Sequence, residues 1–113
     1  MNVVALKPLA NARVLFRLSM SARVPTDAGC YVLTTFDGSV LYIGLTDRLK
    51  RRFEEHLDSE QKVKPTKDGT AYWFHFMLCD NDKLAFYERS WLEQFRVVHG
   101  RLPVLNKVSS PVS

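Results

Sequence analysis

Residues 29–57 read Gly29-Cys30-Tyr31-Val32-Leu33-Thr34-Thr35-Phe36-Asp37-Gly38-Ser39-Val40-Leu41-Tyr42-Ile43-Gly44-Leu45-Thr46-Asp47-Arg48-Leu49-Lys50-Arg51-Arg52-Phe53-Glu54-Glu55-His56-Leu57. The run from Cys30 to Phe36 is rich in β-branched and aromatic residues, and so is the run from Ser39 to Ile43. Asp37-Gly38 between them is a hairpin signal, because both turn residues tolerate positive φ. Gly44 ends the second strand, and Asp47 is placed to cap a helix running to Leu57. There Leu49, Phe53 and Leu57 repeat every four residues and form the buried stripe. Arg48, Arg52 and His56 repeat at the same interval and form an adjacent basic one.

Outward from this stretch the reading continues in both directions. Residues 59–69 are polar, with Pro65 and Gly69, and are expected as a surface loop. Ala71 to Leu78 has apolar residues on both faces, which predicts a central strand covered on both sides. Asp80-Asn81-Asp82 turns the chain into a helix over 84–98, with Trp91, Phe95 and Val98 inward and Phe86 and Leu92 broadening that face. Gly100 ends it, and 102–106 is extended. Upstream, Pro8 and the spacing of Arg13 and Arg17 against Val14, Leu15 and Leu18 predict a short amphipathic helix stopped by Pro25. The expected organisation is a basic helical extension over 1–24, one domain over 25–107 and a frayed tail over 108–113. The expected fold class is α+β, a small three-stranded antiparallel sheet flanked by helices with an extra N-terminal helix.

The 113 residues suffice for one domain. Hydrophobic residues make up 46% and charged residues 25%, which excludes disordered and fibrous classes. No apolar run reaches the ~18–20 residues of a membrane span. Sixteen Lys+Arg against twelve Asp+Glu give a net charge of +4, which permits a polyanionic partner. The two cysteines, Cys30 and Cys79, lack the paired spacing of a zinc site and read as free thiols of a reducing cytosol. No secretory signal is read in the first residues, so the expected location is cytoplasmic.

The chemistry-bearing residues are ordered along the chain. Tyr31 and Tyr42 fall near opposite positions of the hairpin, on one face if the register agrees. The Arg48–Arg52–His56 stripe begins just after Gly44, at the same end of the sheet. Glu88 lies on the long helix and Asn106 in the closing segment. Gly29-Cys30-Tyr31, Tyr42-Ile43-Gly44, Arg52, His56, Glu88 and Asn106 in this order resemble the GIY-YIG endonuclease domain over roughly residues 25–107. The resemblance implies a sheet-and-helix nuclease fold and hydrolysis of DNA phosphodiesters with Mg²⁺ (or Mn²⁺). It implies that Tyr31 and Tyr42 line the site and that one assists water activation. Arg52 would hold the scissile phosphate, and His56 would contact it or help activate the water. Glu88 would be the single protein metal ligand, preferred over Glu93 because Trp91-Leu92 matches the apolar pair after the family's glutamate. Asn106 would support the site's geometry. Cys30 departs from the commonest middle residue of the first motif.

The expected function is a stand-alone, metal-dependent DNA endonuclease, monomeric or weakly dimeric. The alternatives are a catalytically silent member that binds nucleic acid or protein, and a subunit active only in a larger complex, with a partner protein supplying DNA targeting. Arg13 and Arg17, Arg48, Lys50 and Arg51, and Lys62, Lys64 and Lys67 are the expected phosphate contacts beside the site.

Overall fold

The computed structural model describes residues 1–106; the tail expected over 108–113 lies outside the described residues. The strands are β1 (Ala12–Leu15), β2 (Gly29–Thr34), β3 (Val40–Thr46) and β4 (Trp73–Leu78), and the helices are α1 (Leu49–Leu57), α2 (Glu60–Val63) and α3 (Leu84–His99). Short 3-10 turns occupy Val3–Ala5, Leu18–Arg23 and Asn81–Lys83. The four strands form one antiparallel sheet in the order β1-β4-β2-β3. The architecture is α+β, as expected, and β4 is interior to the sheet. No helix among the described residues is long and apolar enough to cross a membrane.

The leading segment corrects the expected N-terminal helix. Residues 12–15 form β1, paired with β4 in the register Ala12↔Phe76 to Leu15↔Trp73. Two arginines four residues apart satisfy a strand's period of two as well as a helix's turn. The edge of β4 supplies the hydrogen-bond partners that decide between them. Val14 and Phe16 are buried, while Leu18, expected in the core, is exposed. Phe86 and Val98 of α3 are exposed too, and Trp91 and Phe95 carry its buried face. The expected loop over 59–69 contains the single helical turn α2.

The sheet divides two apolar layers. On one side Tyr31, Leu33, Leu41, Phe74 and Phe76 pack with Leu49 and Phe53 of α1. On the other Cys30, Val32, Val40, Ile43 and Met77 pack with Leu84, Trp91 and Phe95 of α3. Alternation along β2 thus sends Tyr31 to the α1 side and Cys30 to the α3 side. Burial pushes the Cys30 thiol up to about 12, with Cys79 beside it, so it is an inert core group.

Glycine sets the spacing of the layers at two points. A Cβ on Gly29 would stand 2.4 Å from the Met77 carbonyl oxygen and 2.8 Å from Leu49 Cδ1. A bare backbone there lets α1 sit down on β2. The first N–H groups of α1 are satisfied by that same loop: Leu49 N–H donates to the Asp27 carbonyl and Lys50 N–H to the Pro25 carbonyl, each at 2.9 Å. Asp47 is therefore not the cap; it pairs with Arg51 at 2.7 Å. A Cβ on Gly44 would stand 2.6 Å from Tyr31 Cζ and Oη and 2.9 Å from Tyr42 Cε2. Gly44→Ala is therefore expected to cost about 1–3 kcal/mol by overpacking and to displace the Tyr31 ring. Urea unfolding checks the first effect and the near-ultraviolet tyrosine signal the second; a fully wild-type Gly44→Ala protein would show that the close approach is unimportant.

Candidate active site

The register corrects the expected facing of the tyrosines. Tyr31 lies opposite Gly44, and Tyr42 lies opposite Leu33. The pairing steps from Leu33↔Tyr42 to Thr34↔Val40, leaving Leu41 as the extra residue of a bulge. Leu41 and Tyr42 both pack on the α1 side as a result. The two phenols are diagonal neighbours on one face, with ring centroids 6.0 Å apart. The Tyr31 ring extends across the space that Gly44 leaves free.

α1 delivers His56 to the same point. The Tyr31 hydroxyl and His56 Nε2 are 2.7 Å apart. Tyr31 is 1% exposed and His56 is 6% exposed. The imidazole also meets the Tyr42 ring edge-on, with centroids 5.2 Å apart. Burial, with the Lys62 and Arg52 cations beside it, lowers the His56 pKa to about 3. The ring is neutral at physiological pH, and in the tautomer that carries its proton on Nδ1 its Nε2 accepts the hydrogen bond that the Tyr31 hydroxyl donates. Burial raises both phenols well into the protonated range, while Arg52 pulls each back down. Tyr42 is half-buried where Tyr31 is closed off.

Arg52 is one turn of α1 before His56. One Nη donates to Glu55 at 3.0 Å, and its Nε is buried without a partner. Its charge is felt at Tyr31, Tyr42, His56 and Lys62. An unpartnered guanidinium N–H beside a phenol and a neutral imidazole is a group prepared to bind an anion.

Glu88 approaches from α3, which covers the other side of the sheet. It is half-buried, and that burial raises its pKa. Its charge raises Tyr31, Tyr42 and Cys30 in turn. Glu93 is exposed and tied to Arg96 by bonds of 2.7 and 2.9 Å, which separates the two candidate carboxylates. No cluster of three or more His, Cys, Asp or Glu side chains fit for a metal occurs among the described residues. A hard ion that keeps its waters and adds substrate phosphate oxygens needs only one carboxylate, and Glu88 fits that role.

Asn106 acts on the backbone. Its Oδ1 accepts from Ile43 N–H and its Nδ2 donates to Ile43 C=O, both at 2.9 Å. With Leu105 N–H donating to the Leu41 carbonyl at 3.0 Å, the closing segment caps the outer edge of β3 around Tyr42.

The basic residues are unevenly placed. Arg13 is exposed, and its position between inward-facing neighbours sends it to the side away from Tyr31, stacked 3.8 Å over the Trp73 ring. Arg17 begins the 3-10 turn packed beside α1. Arg48 stands at the first end of α1, remote along the helix from His56, and Arg51 is held by Asp47 and Glu55. Lys50 is half-buried, and Lys64 and Lys67 are exposed. Lys62 is only 9% exposed, its ammonium 4.8 Å from the centre of the Tyr42 ring. Its place in the cluster was not legible in a polar, apparently featureless stretch.

A second buried histidine, His75, is bonded to Thr34 Oγ1 at 3.0 Å and is lowered to about 4 by burial and by Arg13. In an unfolded chain both rings take up protons near pH ~6.5. The folded state resists this, so stability is expected to fall as pH drops below ~6.5 toward the folded pKa values. Imidazole NMR titration from pH 8 to 5 should leave both rings neutral; a midpoint near 6.5 for His56 would contradict the buried Tyr31–His56 pair.

Comparison with curated proteins returns no match. The family described as the GIY-YIG catalytic domain matches residues 27–100, more than half of the chain. The match spans both tyrosines, Arg52, His56 and Glu88. The chain belongs to the GIY-YIG family of endonuclease domains.

Proposed function

We propose that the chain is a metal-dependent DNA endonuclease that hydrolyses phosphodiester bonds and acts as a catalytic module of its own in the cytoplasm. The observation that carries this reading is the convergence of Tyr42, the Tyr31–His56 pair and the unpartnered Arg52 Nε at one corner of the sheet. Phosphodiester hydrolysis needs a positioned water, charge neutralisation on the phosphoryl oxygens and help for the leaving alkoxide.

Arg52 holds the scissile phosphate through the exposed Nη end of its guanidinium, a planar donor set that matches phosphate oxygens. Tyr42 is the phenol that reaches solvent, so its hydroxyl orients the attacking water, whose proton passes to bulk solvent. Burial raises the phenol and keeps its hydroxyl protonated and able to donate, and Arg52 opposes that only in part. Tyr31 and His56 lie too deep to meet the water. They hold the Tyr42 ring by edge and face and give the corner a proton acceptor that carries no charge. Glu88 would hold one Mg²⁺ or Mn²⁺, which when bound would supply Lewis-acid stabilisation of the phosphate and the leaving oxygen. Arg17, Arg48, Lys50, Arg51, Lys64 and Lys67 supply phosphate contacts on either side. Such contacts carry no sequence code, and binding that depends on them weakens steeply with salt.

The test is a cleavage panel on linear, nicked, flapped and branched DNA with Mg²⁺ or with EDTA. Cleavage of at least one substrate is expected with the metal and none with EDTA. Glu88→Gln and Arg52→Lys should each lose about 10²-fold or more in kcat, with the fold kept. Tyr42→Phe should lose as much, and its loss should exceed that of Tyr31→Phe. Metal-independent cleavage, or a fully active Glu88→Gln protein, would remove the assignment to Glu88; a fully active Tyr42→Phe protein would move the water-orienting role elsewhere.

A further inference from the structure

The buried position of Lys62 is the feature the mechanism above leaves unused. The chain goes to some length to put it there. After α1 the backbone turns through Ser59 N–H to His56 C=O, Lys62 N–H to Ser59 C=O and Lys64 N–H to Glu60 C=O, at 3.1, 3.1 and 3.0 Å. That turn is α2, and it folds Lys62 back over the site while Lys64 and Lys67 stay in solvent. The Lys62 side chain is largely covered while the ammonium is not fully closed off, and a cation held over an aromatic face gains from an anion that pairs with it. Among the described residues no carboxylate lies within ion-pair distance of Lys62. Its nearest partner is the face of Tyr42, a weak substitute. Its other charged neighbour is Arg52, whose repulsion adds to burial in lowering the lysine.

Two cations therefore share one corner in which, among the described residues, Arg52 has a carboxylate partner, Glu55 at 3.0 Å, and Lys62 has none. One phosphate held between the Lys62 ammonium and the exposed end of the Arg52 guanidinium would relieve the repulsion. We propose that Lys62 is a second phosphate-holding cation of the active site, gripping the same phosphodiester as Arg52. This rests on the nuclease reading above and extends it to a segment outside the recognised motifs. The step is electrostatic. The ammonium donates hydrogen bonds to a non-bridging oxygen, whose charge grows as the water attacks, and no proton leaves the lysine. The bland rival is that only the aliphatic stem matters, packed on Tyr42 with the head in solvent. Lys62→Met separates the two, because it keeps the stem and removes the charge.

The experiment has two arms on the full chain. In the first, inorganic phosphate is titrated while the side-chain carbon resonance of Lys62 is followed, assigned by its loss in Lys62→Met. A saturable shift is expected, with phosphate binding weakened about fivefold or more in Lys62→Met. In the second, DNA cleavage by Lys62→Met should show kcat lowered about 10²-fold with KM changed less than about threefold. Lys62→Arg should recover much of the loss, and thermal unfolding should show Lys62→Met folded. A Lys62 resonance indifferent to phosphate, or wild-type kcat in Lys62→Met, would overturn the proposal. A wild-type chain that cleaves no DNA would instead overturn the nuclease reading, and the phosphate arm alone would then decide whether an anion site exists.

Discussion

The hydroxyl of Tyr31 lies at a depth where it cannot go unpaired, and everything at the site is arranged around the partner it finds. A buried donor left without an acceptor costs about 1–3 kcal/mol. His56 supplies the acceptor at 2.7 Å. It can do so only while its own ring stays uncharged, and burial beside two cations ensures that. The bond ties β2 to the last turn of α1, so the position of the helix and the protonation of the imidazole are set together. Arg52 lies one turn earlier on α1, and Lys62 follows on α2, whose lead-in starts with Ser59 N–H donating to the His56 carbonyl.

Close backbone approach is the second condition. Gly44 has no side chain because the Tyr31 ring fills that volume, and Gly29 has none because α1 rests there. The glycines of the two motifs are thus packing residues, Gly44 making room for the Tyr31 ring and Gly29 for Leu49 of α1. The bulge at Leu41 then directs Tyr42 onto the same face as Tyr31, and Asn106 fastens the strand just beyond it. Tyr31, His56, Gly44 and Asn106 build the frame, and in the proposed mechanism Tyr42, Arg52 and Glu88 face the chemistry.

Much of this was readable in the chain because the informative patterns were local. Asp37-Gly38 marks the hairpin, and the four-residue repeats after Asp47 mark α1 with its basic stripe. The apolar run before Asp80 marks an interior strand. What escaped was set by tertiary partners. Residues 12–15 look equally suited to a helix or a strand until the edge of β4 is present to pair with them. The tyrosines seemed to face each other because a bulge adds a residue that simple counting from Asp37-Gly38 leaves out. Asn106 carries no signal at all alone, since its work is to grip a peptide group 63 positions earlier in the chain. Lys62 was hidden for a similar reason: nothing in SEQKVKPTKDG separates the lysine that folds inward from those that remain in solvent.

The central claim is that Tyr31 and His56 act as one unit through their buried hydrogen bond. A double-mutant cycle on DNA cleavage, using Tyr31→Phe, His56→Gln and the pair together, tests it most directly. The expected result is strong non-additivity, the double variant being hardly slower than the worse single one, with a coupling of about 1 kcal/mol or more. Losses that simply add would contradict the claim and leave the phenol and the imidazole as independent neighbours.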